Sequence, residues 1–297
     1  MRHDIKTDGA VDMHAHCGPS VIPRRGDGFE LALDAAEHGF DGIVLKEHFL
    51  PTAYATPYIE RSLEAHDADI QPIGSVVLNY CCGGWNPFMV EFACLYDAGV
   101  IWAPTIDARR DAEVSGGLGN KLGVDFGDNP EYQKKDGLYA LDDDGELKED
   151  VRLCIEKIAD HGVVLAIGHL SFEETLAMVE YCAELGHEGV MIDHPSYPIT
   201  DFDLDQQEQL VELGATMNHV FGGISPRAAW ETADEFYENV RAIGVDNSIV
   251  SSDAGQIGNP TPAESLSYLG EILTGKGLSR AEFNVLVEEN PKSLLGW

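Results

Sequence analysis

Two histidines stand two residues apart, His14-Ala15-His16, where the apolar run of residues 11–13 ends. On a β-strand, residues two apart project to the same side, so both imidazoles aim at one point beyond the strand. Other histidines fall in matching places. His48 follows the apolar run 42–45, His169 follows 163–167, His194 follows 189–192 and His219 follows 215–217. Asp253 comes shortly after the run 248–250. Neutral imidazole and carboxylate suit a divalent ion, zinc first and iron or manganese as alternatives, with one position left open for water. An ion so held lowers the pKa of its water towards ~7 and provides hydroxide at neutral pH.

The remaining histidines serve as an internal control. His38, His161 and His187 sit beside glycines at expected helix ends, where a cation complements the helix dipole. His3 and His66 belong to no motif. Six of the eleven histidines (14, 16, 48, 169, 194 and 219) therefore gather at the ends of apolar runs, which a random scatter rarely produces.

The elements that must position them follow a repeating pattern: an amphipathic stretch, a glycine, then a short apolar run. Gly39, Gly99, Gly162, Gly186, Gly214 and Gly244 each stand in that place. A helix ends readily on a glycine in the left-handed conformation, and the chain then enters a buried parallel strand. With the runs 11–13 and 73–78 the strands number eight. Ser171 with Glu174 and Ser279 with Glu282 read as capping boxes, while Thr261-Pro262 and Asn86-Pro87 place proline at the first helical position. Eight strands alternating with helices predict an α/β fold, a (β/α)8 TIM barrel forming a single domain over residues 1–297. In such a barrel the active site lies at the C-terminal strand ends. One connection breaks the rhythm. The segment of about 108–147, after the fourth strand, is rich in glycine and charge and reads as a long insertion on the catalytic rim.

Composition narrows the partners. Lys and Arg number 19 against 52 Asp and Glu, a formal net charge of −33 over 297 residues. Such a field repels nucleic acid and anionic membrane. The acids are spread along the whole chain, a haloarchaeal-type composition suited to a salty cytosol in which self-repulsion is screened. Polar residues directly after Met1 and the want of a long apolar stretch speak against a signal peptide or a membrane span. The six cysteines show no paired zinc-ligand spacing and read as reduced thiols of a cytoplasmic protein. Cations on the rim (Arg24, Arg25, Lys46, Arg109, Arg110 and Arg227) point to a small anionic substrate such as a carboxylate or phosphate. A homo-oligomer is compatible with all of this.

Taken together, the segments 11–16, 166–171, 192–195 and 252–254 and the closing stretch 290–296 resemble the amidohydrolase superfamily over nearly the whole chain. The segments 44–48 and 168–171 look more like an uncharacterised, amidohydrolase-like branch. The resemblance implies a metal-dependent hydrolase acting on an amide, cyclic amide, lactone or ester, with His14, His16, His169, His194 and Asp253 as metal ligands or their immediate partners. Asp253 would be general base and then acid, and His194 would hold a second ion or stabilise the developing oxyanion. Lys46, His48, Asp107, His219, Arg24 and Arg25 are the substrate-side candidates. Two-metal members carry a bridging carboxylated lysine or glutamate at the end of strand four, whereas residues 102–107 here hold neither. Either Asp107 bridges, or Lys46 does from a position that does not match, or the site holds one ion. Three other readings stand beside this one: a phosphoesterase of the polymerase-and-histidinol-phosphatase type, a metal-dependent decarboxylase, and a non-catalytic metal-binding barrel. That phosphoesterase family ends on an Asp-x-His pair, whereas Asp253 is followed by Ala254-Gly255.

Overall fold

A computed structural model describes residues 7–120, 132 and 135–297 of the chain. The short apolar runs become strands β1 (Val11–His16), β2 (Gly42–Lys46), β3 (Gln71–Ile73), β4 (Ser75–Val77), β5 (Val100–Trp102), β6 (Val164–Ile167), β7 (Val190–Asp193), β8 (Thr216–Val220) and β9 (Ser248–Ser251). Every strand pairing is parallel, in one run β1-β2-β3 and another from β4 through β9 in chain order. Helices between the strands, except between β3 and β4, give the α/β architecture, consistent with a TIM-barrel-like fold.

β3 and β4 fall within and beside one expected strand, 73–78, and a physical cause separates them. A Cβ added at Gly74 would stand 2.4 Å from the Ala53 Cα, so the turn Ala53–Ala55 presses on the backbone there and interrupts the ladder. β3 then pairs with β2, and β4 with β5. At the other margin β1 meets the end of β9. His16 N–H donates to Ala254 O at 2.7 Å and Asp253 N–H donates to His14 O at 2.8 Å. The register of β1 against β2 also shifts between Asp12 and Ala15, an irregularity of the kind that re-aims side chains beside active sites.

The helix starts match their sequence signals. Ser171, Thr261 and Ser279 each close a capping box, and Asn86 accepts from Phe88 N–H and Met89 N–H with Pro87 behind it. Between the strands lie Val11, Met13, Val44, Val77, Trp102 and Met191 among others, while two larger apolar clusters fill the space under the helices. Each fully buried aliphatic contributes up to roughly 1.5–3 kcal/mol. Asp12, His14, Lys46, Asp193 and Asn218 are as deeply buried in the strands as their apolar neighbours. Charge in a core persists only where partners offset its desolvation, so these side chains mark the site.

Of the segment 108–147, residues 121–131, 133 and 134 lie outside the described residues, as does the N-terminal stretch 1–6 with His3. The rest contributes a short helix, Arg109–Ser115, and two bridges, Ala108 to Leu138 and Leu141 to Leu147. All six cysteines are free thiols. Among the described residues no helix is long and apolar enough to cross a membrane.

Candidate metal centre

His14 and His16 leave the end of β1 pointing into a cavity of about 450 Å³. Their Nε2 atoms lie 3.2 Å apart, and Asp253 Oδ1 lies 3.3 Å from the first and 3.0 Å from the second. Three donor atoms from two strand ends thus converge on one spot, and among the described residues they form a group able to hold a metal ion. Behind them, His14 Nδ1 lies 3.0 Å from Asp193 Oδ1. The carboxylate keeps the proton on Nδ1 and leaves the Nε2 lone pair facing the cavity, as carboxylate–histidine pairs do in metal sites.

A second pair repeats that design. His169, at the end of β6, places Nδ1 2.7 Å from Oδ2 of Asp111, a fully buried carboxylate on the short helix Arg109–Ser115. His194 follows directly after β7, its ring centroid 4.9 Å from that of His169 and 6.1 Å from that of His14. Its Nε2 is 3.0 Å from Asp193 Oδ2, whereas its buried Nδ1 has no hydrogen-bond partner among the described residues.

The backbone at these positions is strained. His169, His194 and Asp253 adopt φ values of 61°, 38° and 46°, a region that costs a non-glycine residue of order 1–3 kcal/mol. Each is the residue at which a strand hands over to its loop, so the left-handed turn swings the side chain back over the strand ends. Close packing leaves it little choice. A Cβ at Gly168 would meet His194 Cε1 at 2.9 Å, and one at Gly222 would meet Asp253 Oδ2 at 2.7 Å.

Lys46, at the end of β2, is buried with Nζ 3.1 Å from His14 Nε2, 3.6 Å from Asp193 Oδ2 and 3.7 Å from the Trp102 ring centroid. Burial pushes the Lys46 amine below its ordinary value, against the pull of Asp193. For Asp193 burial alone would raise the carboxyl, but His14, His194 and Lys46 together hold it well below the usual range. Burial likewise lowers His14, and lowers His16 and His48 further, so all three are neutral at neutral pH. His48 Nδ1 rests 3.0 Å from Thr105 Oγ1, with its ring 4.8 Å from that of His16. Arg24 reaches over from the loop after β1 and donates from Nη2 to His16 Nδ1 at 3.3 Å.

Three expected residues stand elsewhere. Strand alternation turns His219 outward, against the Phe236 ring and Ser248, while its neighbour Asn218 faces inward and donates to Asp193 Oδ1 at 2.8 Å. Asp107 accepts from Tyr80 N–H at 2.8 Å and from the Tyr132 hydroxyl, away from the converging donors. Arg25 turns to Asn259 O and Glu264 on the outer rim. Of the other rim cations, Arg227 lines the cavity, Arg110 donates to Ile199 O, and Arg109 stacks on Tyr139.

Sequence reasoning assigned no site role to Asp193, Asp111 or Asn218. Asp193 had a signal, a carboxylate closing an otherwise apolar strand. Asp111 had none, because only the fold of the long connection carries it to His169.

The donor set fits a divalent ion. Neutral imidazoles and a carboxylate oxygen meet at one point, a buried carboxylate orients His14 from behind, and His194 Nδ1 remains an orphaned polar atom in the same cavity.

The model of a family of unknown function, DUF6282, matches residues 9–218. No curated protein matches the sequence. Among solved structures, the chain is similar to an amidohydrolase from Pseudomonas aeruginosa, with a TM-score of 0.67 and 10% identity over 98% of this chain and 96% of that one. It is similar to the probable dipeptidase PvdM from Pseudomonas aeruginosa, with a TM-score of 0.67 and 11% identity over 98% and 96% of the two chains. A lactonase template engineered for organophosphate hydrolysis aligns with a TM-score of 0.57 and 13% identity over 98% and 97%. At these identities the likeness establishes the fold, which is that of amidohydrolase-superfamily structures.

Proposed function

The chain belongs to the family of unknown function DUF6282, and we propose that it is a metal-dependent hydrolase of a small molecule, acting at the strand ends of a closed, single-domain (β/α)8 barrel. The observation that carries this reading is the convergence of His14 Nε2, His16 Nε2 and Asp253 Oδ1, with Asp253 held there at a cost in backbone strain.

His14, His16 and Asp253 would hold one ion, and His169 and His194 are the residues positioned for a second. A divalent ion bound there, zinc first and iron or manganese as alternatives, supplies Lewis acidity to the attacking water and to the carbonyl it attacks. The protein's own groups do the rest. Asp253 accepts the proton that the water loses as its oxygen bonds to the carbonyl carbon. It returns that proton to the leaving nitrogen or oxygen as the scissile bond breaks. Lys46, buried beside His14, sets positive charge where the carbonyl oxygen becomes negative. His48 and Arg24 also line the cavity, and Tyr197 and Trp230, edge to face with ring centroids 4.7 Å apart, form an aromatic wall.

The substrate reading is an amide, cyclic amide, lactone or ester carrying an anionic group. Arg24 and Arg227 both face the cavity, and neither forms an ion pair among the described residues of a chain with 52 acids. Two unpaired guanidiniums on one cavity favour an anion between them.

The deciding experiment is elemental analysis of the purified protein beside a His14→Ala, His16→Ala double variant, followed by assays against carboxylate-bearing amides, lactones and esters, with phosphoesters as the contrast. Stoichiometric metal lost in the variant, with carbonyl hydrolysis by the wild type, supports the reading. No metal even after reconstitution would sink it, and phosphate release alone would redirect it to phosphoester chemistry.

A further inference from the structure

On the outside of the protein the helix Pro87–Leu95 is apolar nearly all round. Val90, Ala93 and Cys94 face the core, as the inner side of an outer helix must. The outer side carries Phe88, Phe92, Leu95 and Tyr96, which are 76%, 59%, 63% and 55% exposed. Their spacing of four, three and one residues gathers them into one stripe on the helix surface. A helix that is apolar on every side ordinarily belongs to the interior. The neighbouring helix Glu149–His161 behaves as outer helices do, exposing Glu149, Asp150, Arg152 and Asp160.

Charge is arranged to leave this face neutral. Glu91 is the charged residue of the helix, and it turns aside to Lys157 at 2.7 Å and His161 at 3.4 Å. In a chain of net charge −33, a neutral stripe of three aromatics and a leucine is a local exception.

We propose that this face is where a second copy of the chain docks, making a two-fold symmetric dimer. Large side chains bury roughly 150–250 Å² each, so the four exposures amount to about 500 Å² of apolar surface, at the upper end of what monomers leave open. Doubled across a two-fold axis, that is about 1,000 Å², the lower bound for a specific interface. The stripe is also self-complementary. An axis through Phe92 runs the two helices antiparallel, setting Phe88 of one copy against Leu95 and Tyr96 of the other, and isologous pairing of this kind is the commonest assembly. Among the described residues, the one charge on this helix, Glu91, is already paired, which leaves an unlike partner little charge on the helix to recognise. Two copies repel through the rest of their surfaces, so the dimer tightens as salt screens that repulsion.

The test is sedimentation velocity of the full chain over a wide concentration range at low and high salt. The wild type is expected to dimerise, more tightly at high salt. Phe92→Glu, with an unchanged circular dichroism spectrum, is expected to weaken the dimer at least roughly thirtyfold. A second variant does not depend on disruption: Phe92→Cys in a Cys81→Ser background should form a disulfide-linked dimer on oxidation, whereas Leu204→Cys in the same background should not. A wild type that stays monomeric at high concentration and high salt, or a dimer that Phe92→Glu leaves intact and Phe92→Cys fails to cross-link, overturns the proposal.

Discussion

His14 Nδ1 and Asp193 Oδ1 lie 3.0 Å apart, both buried, at the ends of β1 and β7. Through that contact one carboxylate decides the tautomer of the central histidine. The same side chain stands 3.0 Å from His194 Nε2 and 3.6 Å from Lys46 Nζ and accepts from Asn218. Asp193 therefore ties four strand ends to one charge.

Asp193→Asn should lower metal affinity by roughly 10–100-fold, because the amide can present its N–H to His14 and release the tautomer. Competition against a chromogenic chelator measures it. Unchanged affinity would show that His14 is not oriented from behind.

Asp111→Asn should act in the same way on His169 alone. We expect activity to fall by about 10–100-fold while the ion at His14, His16 and Asp253 is retained, since Asp111 contacts none of the three. Metal content read beside kcat distinguishes the two carboxylates.

Gly222→Ala should cost catalysis more than stability. The new methyl would stand 2.7 Å from Asp253 Oδ2, so the carboxylate must move off its position. Misplacement on this scale costs on the order of 100-fold in kcat. A thermal melt near that of the wild type with a collapsed kcat is the expected pair of results.

Arg24 and Arg227 should govern KM. Arg24 now donates to His16 Nδ1, which keeps the His16 proton on Nε2, facing Asp253. Were His16 to hold an ion through Nε2, its proton would sit on Nδ1 and the Arg24 guanidinium would be free for substrate. Arg24→Ala or Arg227→Ala should raise KM for carboxylate-bearing substrates by roughly 10–100-fold and leave neutral analogues nearly unaffected. Equal losses on both substrate types would argue against an anion site.

His219 should make the fold acid-sensitive. Burial lowers its pKa to about 4, below roughly 6.5 in the unfolded chain. The unfolded state therefore binds the proton first, so stability is present above pH ~6.5 and is lost as pH falls towards ~4. Between pH 7 and pH 5 this residue accounts for roughly 2 kcal/mol. Denaturant unfolding of His219→Leu at both pH values should show that much less acid destabilisation than the wild type.

The sequence by itself determined the elements and put forward the candidate donors. Glycine-ended helices before apolar runs located the strands, capping boxes located helix starts, and strand-end position gathered His14, His16, His48, His169, His194, His219 and Asp253, from which the amidohydrolase resemblance implied His14, His16, His169, His194 and Asp253 as the ligand set. Such signals are local, carried by residues within a turn or two of one another. What the tertiary structure decided is long-range. Strand alternation sent His219 outward and Asn218 inward, a difference of one residue in register. The distances that make His14, His16 and Asp253 a group span the junction of β1 and β9, some 240 positions apart in the chain. Asp111 reaches His169 only because the long connection after β5 folds back as a short helix. Two-residue periodicity can say which side of a strand a residue takes, but a partner from another strand is set by packing that no local pattern encodes.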